Sequence, residues 1–193
     1  MTRFRMLAPL LLLAAGPGCF QPSPPAVYHT LQPLQDATPA PRSGLAVEVL
    51  PVRLPDLLQR PQLVMAEGPA SAGLSATHRW GNPLDQDMRR VLVDNLALLL
   101  GSDAVVPSPY GDRVAAAYRV EVEVRSCAAW PSGTLTLDAT WMVSRGAGPA
   151  LLVRRTTLRE PLPDSGPDAL AAAYGRILGS LSRELAEVLL KRP

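Results

Sequence analysis

The sequence predicts an α+β domain in which a mixed, largely antiparallel sheet carries two long helices on one face. Three observations lead there. Apolar and polar residues alternate over two long windows, 118–125 and 134–144. Leucines recur at helical spacing over 84–99 and again over 170–188. The remaining apolar runs are short and bounded by proline or glycine, as strand ends are.

Taken in order, Tyr28 to Leu31 is a strand-compatible segment inside a proline-rich stretch, expected to pair at a sheet edge. Leu45, Val47 and Val49 alternate with Ala46, Glu48 and Leu50 until Pro51 stops the strand. Leu54 to Arg60, enclosed by prolines 51, 55 and 61, reads as a short turn or helix, followed by strands at Gln62–Ala66 and, more weakly, Gly73–Thr77. Asn82 is placed to cap a helix with Pro83 at its first position and Asp85 in its first turn. Leu84, Met88, Val91, Leu92, Leu96 and Leu99 form its apolar stripe, and Gly101 is its stop signal. A short strand follows at Ala104–Val106. Tyr118, Val120, Val122 and Val124 then share one face of a strand whose other face is Arg119, Glu121, Glu123 and Arg125. Leu135, Leu137, Ala139, Trp141 and Val143 repeat that pattern after a Pro131-Ser132-Gly133 turn, and Ala150–Glu160 completes an antiparallel meander. The last helix opens at Pro167 and aligns Leu170, Tyr174, Ile177, Leu178, Leu181, Leu185 and Val188, with Gly175 and Gly179 allowing close approach.

A chain of 193 residues accommodates one such domain, and 47% hydrophobic residues suit a globular core, but 21 prolines mean that part of it is not core. The excess proline is concentrated near the N-terminus. Arg3 and Arg5, the apolar run Leu7–Ala15 and the small residues Gly16-Pro17-Gly18 before Cys19 have the layout of an export signal. That run is too short to cross a bilayer. The layout resembles the lipoprotein signal, in which the cysteine takes a diacylglyceryl thioether, although Gly16 stands where leucine is usual. Residues 1–18 are thus expected to be a signal peptide. Residues 19–43 are expected to be a lipidated cysteine with a tether holding Pro22, Pro24, Pro25, Pro33, Pro39 and Pro41, and 44–193 to be the folded domain. Phe20 takes the place of the aspartate that signals inner-membrane retention, which points to the outer membrane. With Cys19 acylated, Cys127 has no disulfide partner, and it reads as a small buried residue at a strand end.

Charge excludes one function class. The chain has 19 basic and 17 acidic residues, and loss of Arg3 and Arg5 with the signal makes the two equal. A nucleic-acid binder needs a basic footprint, and none is visible. Catalysis has no constellation either: His29 and His78 read as surface histidines, no Gly-x-Ser-x-Gly elbow occurs, and Lys191, the sole lysine, follows no glycine-rich loop. Glu121 and Glu123 share a wet strand face with Arg119 and Arg125. The chain is therefore expected to be neither an enzyme nor a metal or cofactor protein.

Two motifs remain. Leu54-Pro55-Asp56-Leu57-Leu58-Gln59-Arg60-Pro61 follows the first domain strand, and Arg79-Trp80-Gly81-Asn82-Pro83-Leu84 opens the first long helix. These motifs, their order, the Tyr28–Leu31 segment and the Trp141 strand resemble the auxiliary lipoproteins of ABC-type intermembrane transport, the PqiC or YmbA family, over about residues 19 to 190. The resemblance implies a non-catalytic lipoprotein on the outer membrane, facing the periplasm and serving an MCE-type lipid transport assembly. Leu57, Leu58, Arg60 and Trp80 are the candidate contacts to that partner or to neighbouring copies of the chain. A small domain on a long tether is also compatible with a regulator of cell-wall synthesis or envelope assembly.

Overall fold

The computed structural model describes residues 24–35, 41 and 43–191. The signal peptide and Cys19 lie outside them. Eight strands and two long helices form two sheets under one helical layer. In chain order the strands are β1 (Val27–His29), β2 (Val47–Val49), β3 (Gln62–Gly68), β4 (Ser71–Trp80), β5 (Val105–Pro107), β6 (Tyr118–Trp130), β7 (Thr134–Arg145) and β8 (Ala150–Pro161). The helices are α1 (Leu84–Leu100) and α2 (Pro167–Leu190), and a short 3-10 turn covers Asp56–Gln59. The α+β class holds, with the strands divided between a five-stranded sheet, ordered β5-β2-β6-β7-β8, and a three-stranded one, ordered β1-β4-β3.

The meander forms for the reason its alternation gives. Tyr118, Val120, Val122 and Val124 are buried on β6, and the three valines face Val143, Trp141 and Ala139 of β7 across the ladder. A bulge between Val124 and Ser126 then shifts the phase, so Cys127 and Ala129 continue the buried row. β2 lies parallel to both β5 and β6, and α1 and α2 pack side by side over this sheet, α1 above β2 and β5, α2 above β7 and β8.

α1 begins one residue later than its capping pattern predicts. Pro83 is the N-cap, with no side-chain hydrogen bond, so Asn82 does not cap; Asp85 and Asp87 supply negative charge to the first turn instead. Gly101 ends the helix at φ 58°, the left-handed geometry its N–H needs to reach the Ala97 and Leu98 carbonyls. α2 starts with Pro167 at its first turn, as predicted.

The larger departure concerns the tether. Tyr28 lies on β1, which pairs in parallel with β4 at a sheet edge, and the chain beyond β1 is also part of the fold. Leu31 is fully buried; its N–H donates to Asp87 Oδ2 at 2.8 Å, and its carbonyl accepts from the Arg90 guanidinium at 2.6 Å. The Leu34 N–H donates to the buried Asn95 Oδ1 at 2.8 Å, and the Asn95 amide in turn donates to Ser182 Oγ on α2. Residues 27–35 therefore belong to the domain, whose start lies well before residue 44. Proline spacing marks a segment without regular structure, but it does not reveal the buried acceptors, Asp87 and Asn95, that wait for its amides on α1.

Candidate partner-binding site

The two sequence motifs meet in space. The Trp80 N–H, at the end of β4, donates to the Pro61 carbonyl at 2.7 Å, and the next amide, Gly81, donates to the His29 carbonyl at 2.7 Å. The second motif is thus laced between the first and β1. In the 3-10 turn, the Leu58 N–H donates to the Pro55 carbonyl at 2.9 Å, while the Gln59 side-chain amide holds the Leu54 carbonyl at 2.9 Å and reaches Asp56. Gln59, and not Arg60, makes the local polar contact with Asp56.

Burial separates the four candidate residues into two kinds. Leu58 is 4% exposed and Trp80 6%, so both belong to the core; Trp80 meets the ring of Tyr174 edge-on with centroids 5.2 Å apart. Leu57 is 44% exposed, and Arg60 is exposed and makes no hydrogen bond or ion pair with the described residues. The surface expected from Leu57, Leu58, Arg60 and Trp80 together is therefore narrower, with Leu57 and Arg60 outside and Leu58 and Trp80 pinning the turn from beneath. The alternation of a 3-10 turn, in which adjacent side chains point in different directions, is the signal that distinguishes Leu57 from Leu58. A groove of about 410 Å³ beside the turn is lined by Arg53, Leu54, Pro55, Glu123, Val124 and Arg125.

Other charged groups are satisfied within the domain. Glu121 and Glu123 both face Arg53, at 3.5 and 3.6 Å, a partner from the chain after β2 that bridges to Glu123 and that strand alternation does not indicate. Asp138 receives two hydrogen bonds from Arg155, which hold its carboxyl below the usual range. The buried Glu48 accepts from Arg119 at 2.6 Å and from the Gly111 N–H. Cys127 is buried, and desolvation pushes its thiol from 9.0 up to about 12, so it has none of the thiolate character a nucleophile needs.

The histidines are a correction. They are not plain surface residues, since His29 is only 7% exposed and its Nε2 lies 2.9 Å from Nδ1 of His78. Its Nδ1 lies 3.2 Å from Asp168 Oδ1 at the start of α2. The trio links β1 to β4 and to the start of α2. Among the described residues no cluster of three or more His, Cys, Asp or Glu side chains is arranged to hold a metal ion, and no helix is long and apolar enough to cross a membrane.

The described chain is thus a mixed-sheet domain with two helices over one face and an N-terminal segment locked into it. The family of ABC-type transport auxiliary lipoprotein components matches residues 29–186, and the chain belongs to it. Two solved structures share the fold. A crystal structure described as an uncharacterized protein aligns with a TM-score of 0.71 at 21% identity, covering 86% of this chain and 99% of the other. A Xanthomonas campestris protein of the DUF330 family aligns with a TM-score of 0.70 at 16% identity, covering 83% and 93%. No curated protein sequence matches the chain.

Proposed function

We propose that this protein is the outer-membrane-anchored, periplasm-facing, non-catalytic component of an MCE-type ABC system that moves lipids between membranes, tethered through an acylated Cys19. The family match carries this reading. The order of a basic segment, an apolar run and small residues before Cys19 supports the anchor, because two or more acyl chains hold a protein stably where one is marginal. Docking on the partner uses the exposed side of the Asp56–Gln59 turn, with Leu57 as an apolar contact and Arg60 as a charged side chain without a partner among the described residues. Leu58 and Trp80 serve the same site by fixing the turn's geometry.

The test is co-purification from native membranes after crosslinking. Leu57→Glu and Arg60→Glu, each with an unchanged circular dichroism spectrum, are expected to lose the MCE-type component while remaining membrane-bound. Wild-type capture of the component by both variants removes the turn from the interface. Recovery of cell-wall synthases with wild-type protein, and of no MCE-type component, replaces the transport reading with envelope regulation.

A further inference from the structure

Three of the large apolar side chains left exposed in the described chain lie on the small sheet: Val27 at 47%, Tyr28 at 63% and Leu74 at 44%. The hairpin joining β3 to β4 extends this surface, for Gly68 through Thr77 contains no charged residue and Ala70, Ala72 and Ala76 are exposed. Phe20 through Gln35, the chain leading into and past β1, contains no Asp, Glu, Lys or Arg either. The open face of the large sheet is the opposite, studded with Arg119, Glu121, Glu123, Arg125, Arg155 and Arg159. A hairpin tip without charges beside an uncharged leading chain avoids the large cost of taking a charge out of water.

The path of the chain says what covers it. β1 runs parallel to β4, with Val27 beside His78 and His29 beside Trp80, so the chain that enters β1 comes from the side on which the β3–β4 hairpin lies. Cys19 stands five residues before Pro24, the first described residue, and five residues span at most about 18 Å. That is shorter than β3 of the hairpin, whose seven residues span about 23 Å at roughly 3.3 Å each. An acylated Cys19 cannot hold the bilayer far from the hairpin.

We propose that the β3–β4 hairpin, together with Val27 and Tyr28, is a bilayer-contacting surface that rests in the interfacial region of the phospholipid leaflet holding the anchor. This rests on the lipid-anchored reading above. Leu74 and the hairpin alanines enter the boundary between headgroups and acyl chains, and Tyr28 supplies the ring and hydroxyl suited to that depth. Glu67 and Arg79 are the charges on the two strands, and the Glu67 carboxylate, which lies across the hairpin against Gly73, limits the depth.

Mature acylated protein in phosphatidylethanolamine–phosphatidylglycerol vesicles tests it, with an environment-sensitive dye on Leu74→Cys, on Ala76→Cys as a second hairpin position, and on Val153→Cys of β8 as an aqueous control. The buried Cys127 does not compete for label. Iodide quenching at both hairpin positions is expected to fall several-fold between the detergent-free Cys19→Ala form and the vesicle-bound form, with quenching by bromo-lipids appearing only there; Val153 is expected to show neither change. A correctly acylated protein whose hairpin dyes remain as quenchable by iodide as Val153 overturns the hairpin assignment alone and leaves that face for a protein partner. A wild-type mature N-terminus without acyl chains by mass spectrometry overturns the anchor and the hairpin together.

Discussion

Gly175→Ala sets two effects of similar size against each other, and the structure separates them by location. Within α2, alanine is favoured over glycine by about 1 kcal/mol, because glycine has more backbone freedom to lose. A Cβ at this position, however, would stand 2.8 Å from the carbonyl oxygen of Gln32. That neighbour is backbone, held on both sides by the Leu31–Asp87 and Leu34–Asn95 hydrogen bonds, so it cannot swing aside as a side-chain tip could. Overpacking of this kind costs about 1–3 kcal/mol. The gain belongs to the helix whether or not the segment is docked; the cost exists only while it is docked. The variant is therefore expected to melt within about 1 kcal/mol of wild type by calorimetry, while hydrogen exchange at the Leu31 and Leu34 amides accelerates roughly 10- to 100-fold, the factor corresponding to about 1.4–2.7 kcal/mol of local opening. Amides of β6 and β7 should keep their protection. Unchanged exchange at Leu31 and Leu34 would refute the seating of residues 31–35 against α2.

Trp141 is fully buried in the central meander, with its Nε1–H on Thr156 Oγ1 at 3.1 Å and the Arg154 guanidinium over its ring, so Trp141→Ala is expected to cost about 3–5 kcal/mol in denaturant melts, and a loss below about 1 kcal/mol would contradict its placement. Leu58→Ala should cost about 2–5 kcal/mol in the same melts, whereas Leu57→Ala should stay within about 0.5 kcal/mol; equal losses would mean that the turn does not separate them. Cys127 keeps its proton to about 12 when folded but ionises at 9.0 when unfolded, so its contribution to stability is whole below 9.0 and is lost as pH rises from 9.0 through about 12. Iodoacetamide at a pH near 9.0 should accordingly label it only as fast as the protein unfolds, and prompt labelling of native protein would show the thiol to be accessible.

What could be read from the sequence was what periodicity encodes. The meander and both helices announce themselves because one buried face imposes a period on the residues, and Gly101 and Pro167 mark ends through backbone geometry alone. The division into two sheets was not legible, since β1 pairs with His78–Trp80, beyond the expected Gly73–Thr77 strand, through contacts between distant parts of the chain. The same holds for polar side chains. His29 reads as a surface residue in sequence and Asp87 and Asn95 carry no signal there, and only the fold shows that they hold β1 and the following strap in place. In the candidate site, the motifs grouped the buried Leu58 and Trp80 with the exposed Leu57 and Arg60, because motif density carries no information about which way a side chain faces.

The docked strap bears on the choice between the two functional readings. Read as a free linker, the 24 residues from Phe20 to Ser43 reach roughly 75 Å when extended at about 3.1 Å per residue, a length that suits a regulator working at a distance from its membrane. Docking removes most of that reach: β1 begins at Val27, eight residues after Cys19, and eight residues span at most about 28 Å. The chain is bonded within the domain on both sides of residues 36–42, with Leu34 on Asn95 of α1 and the Val47 N–H on the Ala104 carbonyl. Under the proposed acylation of Cys19, a domain held this close and tied at Leu31 and Leu34 to α1 presents one surface at a fixed height above the membrane that holds the anchor. That is the requirement of a component that receives the end of an assembly arriving from the other side. Releasing the strap by Asp87→Ala with Asn95→Ala should therefore lengthen the reach and weaken partner capture while leaving acylation intact, whereas undiminished capture by the released form would show that fixed height is not what the partner uses.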